Sequence, residues 1–254
     1  KLFKFIINNI TAYLVQGYNT KKKYKFLIDE KKTYVLPCYV NDSIGIPTLK
    51  FEPAKNKVQL DILFFSLLTD SKGLWTALKA IPKVLEHNKN VMFNFVGAVD
   101  SELTDQKITK FVEENMLQHN FKYKGYAKDS IERTMHFRNS DIFIFPTNRD
   151  TFGLVLLHAM AESKPVISTI EGNIPEIITH NKNGYLINKN DSDKLALYIL
   201  KLANNENIRE RIGTQNRRDY ETKYSINSYS HNLKLILSSI ENCNNKDFSA
   251  NKKK

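Results

Sequence analysis

Only two cysteines occur in 254 residues, Cys38 and Cys243, and neither has metal-ligand spacing around it. So sparse a set argues against a disulfide framework and for a reducing cytoplasmic setting. Apolar runs are short: none reaches the roughly 18 residues of a membrane-spanning helix. Leu2–Ile10 is too short and too polar for a secretory core. His87, His119, His136, His180 and His231 show no ligand spacing, and no Ser or Cys nucleophile arrangement is present. Acidic residues are the minority charge, 27 Asp and Glu against 38 Lys and Arg. Lys1 stands where a Met would open an intact chain, so the sequence reads as a fragment or a processed product.

What is present suits one large or two small folded domains. The chain is 41% hydrophobic with 15 Phe and 12 Tyr, enough to bury a sizeable core, which excludes disorder throughout. The net charge of +11 concentrates at Lys21–Lys23, Lys25, Lys31, Lys32 and the tail Lys252–Lys254. One reading is a solvated lysine-rich face. Another is attraction to an anionic membrane surface, worth about 1 kcal/mol per basic residue. A third, nucleic acid, has no recognisable motif beside the charge and is not expected as a partner. A cytoplasmic protein, peripheral at the inner face of the membrane, is the expected setting.

Strand-like and helix-like segments alternate. Residues 1–40 read as helix Leu2–Asn9, strand Ala12–Gln16, helix Thr20–Ile28 and strand Tyr34–Pro37. Residues 41–57 carry Pro, Asn, Asp and Gly without periodicity and read as a linker. Residues 58–204 then run strand Leu60–Phe65, helix Gly73–Glu86, strand Val91–Val96, helix Thr104–Gln118, strand Phe121–Lys124 and helix Ser130–Asn139. They continue with strand Asp141–Phe145, helix Leu154–Ala161, strand Pro165–Ser168, strand Tyr185–Ile187 and helix Asp193–Asn204. Helices Ile208–Tyr220 and Ser225–Glu241 fill 205–244, and 245–254 read as a disordered tail. The alternation predicts an α/β fold, a Rossmann-like doubly wound parallel sheet with a helical C-terminus.

Polar groups in such a fold gather where strands hand over to helices, and ligands sit beyond the carboxyl ends of the strands. Lys72 ends the loop after Leu60–Phe65, beside the free amides of a helix start, and reads as a phosphate cation or as a solvated lysine. Asp150 precedes Gly153 by three and reads as a cap of the helix Leu154–Ala161. His158, on that helix, reads as a core or rim histidine. Glu171, Gly172 and Asn173 form a polar turn after a buried strand, and Glu176 supports the helix that follows. Asp191-Ser192-Asp193 looks like a metal-binding triplet but directly precedes a helix, where N-capping explains it.

Phe152-Gly153-Leu154, Ala159-Met160-Ala161, Pro165-Val166 and Glu171-Gly172-x-Ile174-Pro175-Glu176 together resemble the donor-binding signature of glycosyltransferase family 4, the retaining "group 1" enzymes. The resemblance implies that 58–204 is the nucleotide-sugar domain and that 1–40 is the end of an acceptor domain, with the C-terminal helices returning toward it. It implies a metal-independent transferase using a UDP- or GDP-linked sugar as substrate, with no cofactor, and a glycan or lipid-linked acceptor. A non-catalytic nucleotide-sugar-binding subunit is the alternative.

By the same resemblance Lys72 and Gly73 match the diphosphate-binding loop, while Ser66 and Leu67 replace its Gly-Arg pair. Asp150 stands at the position of the family's first Glu and would orient the donor sugar; His158 stands at the second and would contact ribose. The amides of Gly153, Leu154 and Val155 beside Phe152 would face sugar or phosphate, with Gly153 admitting close approach. Glu171 and Gly172 would line the pocket, and Tyr123, Gly125 and Tyr126 would meet the nucleobase. Imidazole lacks a carboxylate's bidentate grip on ribose hydroxyls. Restoring the carboxylate, His158→Glu, is therefore expected to tighten nucleotide-sugar binding in a calorimetric titration, and no gain would count against the assignment.

Overall fold

Apolar runs that no polar residue interrupts become strands covered on both faces. The computed structural model describes residues 9–42 and 59–251. The first block holds β1 (Tyr13–Val15), α1 (Tyr18–Tyr24) and β2 (Thr33–Val35), with β1 and β2 paired in parallel. The second opens with β3 (Leu60–Phe65), α2 (Leu74–Leu85), β4 (Val91–Val96), α3 (Glu102–Glu114), β5 (Phe121–Tyr123) and α4 (Ser130–Asn139). It continues with β6 (Ile142–Phe145), α5 (Leu154–Ala161), β7 (Val166–Thr169), α6 (Ile174–Ile177) and β8 (Tyr185–Ile187). Helices α7 (Ser192–Ala203), α8 (Glu206–Asp219) and α9 (Ile226–Asn251) close it.

Six strands form one parallel sheet in the order β5-β4-β3-β6-β7-β8. This is the doubly wound Rossmann-like arrangement that the alternation predicts. The order reverses between β3 and β6, so the chains leaving these two strands diverge and open a crevice. Period-two alternation divides the core. Ile142 and Ile144 join Phe64, Phe93 and Phe95 beneath α2 and α7, while Phe143 and Phe145 join Leu156 and Met160 of α5 on the other face. Each such side chain taken from water contributes about 1.5–3 kcal/mol.

Several boundaries differ from the expectation for local reasons. A 3-10 turn over Asp70–Lys72 and a left-handed Gly73 (φ 79°) delay α2 to Leu74. The Ser101 hydroxyl accepts from the Thr104 amide and starts α3 early, at Glu102. Asp191 caps α7 through the Lys194 amide, 2.9 Å away, as the capping reading requires. The tail is a correction: α9 runs on to Asn251, because the sequence after Ser225 contains no Gly or Pro to stop it. The expected helix Leu2–Asn9, except Asn9, lies outside the described residues, as do linker positions 43–57 and tail positions 252–254.

The C-terminal helices meet the chain beyond β2. Tyr220 Oη donates to the Val40 carbonyl at 2.9 Å, Arg217 pairs with Asp42, and the Tyr39 and Tyr229 rings lie 4.6 Å apart. Burial is the main reason the Tyr220 phenol is pushed up to about 12. Phe143 is fully buried in the β6 layer. Its truncation, Phe143→Ala, is expected to destabilise the chain by about 3–5 kcal/mol in urea unfolding. Leu103→Ala, at a side chain 58% exposed, is expected to stay within about 0.5 kcal/mol.

Candidate functional site

The crevice brings the β3 and β6 loops together. A Cβ on Gly73 would fall 1.9 Å from the Pro146 carbonyl oxygen, so only glycine lets the two backbones touch here. The contact is stitched by the Asn148 and Arg149 amides, both donating to the Ser71 carbonyl at 3.0 Å. Thr147 Oγ1 donates to the same carbonyl at 3.1 Å.

This stitching delivers Lys72 to Asp150, with Nζ 2.7 Å from Oδ2. The other carboxylate oxygen accepts the Phe152 amide at 3.0 Å and the Gly153 amide at 2.7 Å. Asp150 thus folds its own loop, and the first-turn amides of Leu154 and Val155 precede any intrahelical acceptor. A cavity of about 770 Å3 opens over the ion pair. Its walls are Ser66, Ser71 and Lys72, the stretch Arg149–Val155, Glu171, and from the first block Gln16, Lys23 and Tyr24. A second cavity, about 350 Å3, is lined by Leu67, Gly97, Tyr126, Arg133 and again Ser66, which borders both.

Some expected site residues have other work. Phe152 contributes backbone to the larger cavity, but its ring is 4% exposed and packs toward Tyr224, 6.5 Å away. The missing Cβ of Gly153 points at Leu156, 2.9 Å away, and not at the cavity; glycine is there for its φ of 82°. Glu171 lines the cavity and pairs with Lys189. Gly172 gives its carbonyl to Asn19 Nδ2 at 2.9 Å, so it holds α1 and supports the cavity from behind. Tyr123 spends its hydroxyl on the Gly97 carbonyl at 3.0 Å, and Gly125 accepts from the Gly97 amide at 2.8 Å. Tyr126, 66% exposed, lines the smaller cavity together with Phe65.

His158 borders neither cavity. Its ring lies 5.8 Å from that of Phe137. Burial above all, then the positive charge of Arg133, lowers its pKa to about 4. Arg133 itself went unnoticed in the sequence, yet it lines the smaller cavity and among the described residues its buried Nε has no partner. Glu176 was also missed in its main role: its carboxylate accepts the Tyr18 and Asn19 amides at 2.8 and 2.6 Å, capping α1 from across the structure. Asn173 adds bonds to the Thr20 amide and hydroxyl at 3.1 and 2.7 Å. The available signal was Gly17, a helix start with no capping side chain of its own.

Residues 45–219 match the family described as glycosyl transferases group 1. An uncharacterised glycosyltransferase of Methanocaldococcus jannaschii is 33% identical over 154 residues, 60% of this chain and 42% of that protein. The capsular polysaccharide biosynthesis glycosyltransferase CapM of Staphylococcus aureus is 28% identical over 212 residues, 78% of this chain and 53% of that protein. The chain therefore spans about half the length of the curated relatives it matches. A crystal structure of Anabaena HepE with UDP-glucose shares the fold, with a TM-score of 0.78 at 16% identity over 93% of this chain and 67% of that one.

The depressed His158 pKa fixes a pH dependence. Above the unfolded value of 6.5 the imidazole is neutral in both states and the contribution is fully present. As pH falls from 6.5 toward 4 only the unfolded chain takes the proton, so stability is lost, by up to about 3 kcal/mol. Chemical denaturation of the parent and of His158→Gln across that window is expected to show a shallower pH slope in the variant; equal slopes would refute the assignment.

Proposed function

Because the chain belongs to the group 1 glycosyltransferases, we propose that it is the donor half of an enzyme that moves a sugar from a nucleoside diphosphate to a glycan or lipid-linked acceptor, with retention and without a metal ion. The observation that carries this reading is the convergence of Lys72, Asp150 and the start of α5 on one cavity at the point where the strand order reverses. Transfer breaks the bond between the anomeric carbon and the diphosphate oxygen. The electron pair leaves on the diphosphate, the acceptor hydroxyl oxygen bonds to that carbon, and the hydroxyl proton passes to a departing phosphate oxygen. Preorganised positive charge at the leaving oxygens lowers that barrier.

Lys72 suits the task. An ammonium has three donors. One is held by Asp150, a second leans on the Arg149 carbonyl at 3.4 Å, and a third is left for a phosphate oxygen. Asp150 orients the sugar and fixes the lysine. The smaller cavity takes the nucleoside, with Tyr126 against the base and Arg133 near ribose. The UDP-glucose bound by HepE supports trying uridine donors first. Retention and metal independence rest on the motif resemblance.

Exposed Lys22 and Lys25 beside Tyr18 (70% exposed) and Phe26 (77%) support contact with an anionic membrane surface. Among the described residues no helix is long and apolar enough to cross a membrane. Leu67, 56% exposed where the resembled loop carries arginine, favours a binding-only subunit as the second reading.

A thermal-shift panel of UDP- and GDP-sugars tests the donor site. A ligand at about 100 times its Kd adds about 2.7 kcal/mol of stability, a rise of several degrees. That rise is expected for at least one nucleotide sugar, unchanged by chelator and abolished by Lys72→Ala. A flat response throughout would sink the donor reading, and a rise that chelator removes would sink metal independence.

A further inference from the structure

Five charged residues line the larger cavity: Lys23, Lys72 and Arg149 against Asp150 and Glu171. Both anions are already engaged, Asp150 with Lys72 and Glu171 with Lys189. Two lining cations remain, Lys23 and Arg149, and among the described residues neither side chain has a hydrogen bond or ion pair. Lys23 makes only a contact with the neighbouring Tyr24 ring, 5.7 Å from its centroid.

The two cations come from different parts of the fold, yet both are anchored. The Arg149 amide donates to the Ser71 carbonyl at 3.0 Å and its carbonyl receives Lys72 Nζ at 3.4 Å, so the guanidinium springs from a fixed backbone beside the ammonium. Lys23 rides on α1, whose start is held by Glu176 and Asn173 in the turn that also carries Glu171. The positive end of α5 opens onto the same space. Unpaired like charges gathered around a cavity repel until an anion enters, and a ligand with several negative oxygens relieves the most repulsion. A planar guanidinium grips phosphate through two parallel hydrogen bonds, which an ammonium does not do.

We propose that Arg149 and Lys23 are the second and third cations of the diphosphate site, replacing from the β6 loop and from α1 the arginine that the β3 loop lacks at Leu67. The inference rests on the donor-site reading and adds residues that neither the motif nor the family match assigns. It also gives α1, which carries Lys23, a direct part in ligand binding.

The test is calorimetric titration of the whole chain with UDP, UMP, GDP and inorganic pyrophosphate. Arg149→Gln and Lys23→Gln, both at exposed positions, are each expected to weaken UDP or GDP and pyrophosphate about tenfold or more, with a smaller loss for UMP. Arg149→Lys should recover part of the loss, and Lys79→Gln, on the exposed side of α2, should bind like the parent. Parent-like diphosphate affinity, within about twofold, in Arg149→Gln or Lys23→Gln overturns the role of that residue. If the parent binds and only Lys72→Gln loses affinity, the donor site stands and this inference falls. A parent that binds none of the four probes removes the donor reading and the inference together.

Discussion

Parallel pairing of β3 with β6 places two chain exits side by side where the strand order turns, and the rest of the site depends on that pairing. With Ile62 against Ile142 and Phe64 against Ile144 the two loops leave at the same level. Gly73 lets them touch, and the Ser71 carbonyl gathers three donors from the other loop. Lys72 meets Asp150 as a consequence. The pair is partly shielded, with side chains 25% and 15% exposed, so water weakens it less than a surface pair. A half-buried carboxylate with two amides and one ammonium has few lone pairs to spare. Its first task is to hold the loop in the shape a ligand meets.

The charge distribution around the crevice follows from the same geometry. Around the larger cavity positive groups outnumber negative ones once the internal pairs are discounted. Arg133 lines the smaller cavity, while His158, whose pKa is lowered to about 4 by burial and then by the Arg133 charge, borders neither cavity. Beside His158, α5 packs an apolar face of Leu156, Leu157 and Met160 into the core.

The first block is tied to the second at two ends. Glu176 and Asn173 cap α1, and Tyr220 and Arg217 hold Val40 and Asp42. The Glu171–Glu176 turn thus serves two masters, one face lining the cavity and the other fixing α1. Any change of that turn on ligand entry reaches α1 through short hydrogen bonds of 2.6 and 2.8 Å.

Strands and helices were legible in the sequence because they are written in side chains a few positions apart. Ile142–Phe145 reads as a buried strand and Leu154–Ala161 as a buried helix whatever surrounds them, and the Phe152-Gly153-Leu154 block gave the family. The loops that bear Lys72 and Asp150 were likewise legible as loop ends. That these two meet was not, since they lie 78 positions apart and their approach depends on strand order. The cap on α1 spans 158 positions, and Arg149, beside Asp150 in the chain, gained meaning only from the neutralisation of its neighbours. Local periodicity fixes elements; which charges cancel and which stay free is decided by long-range packing.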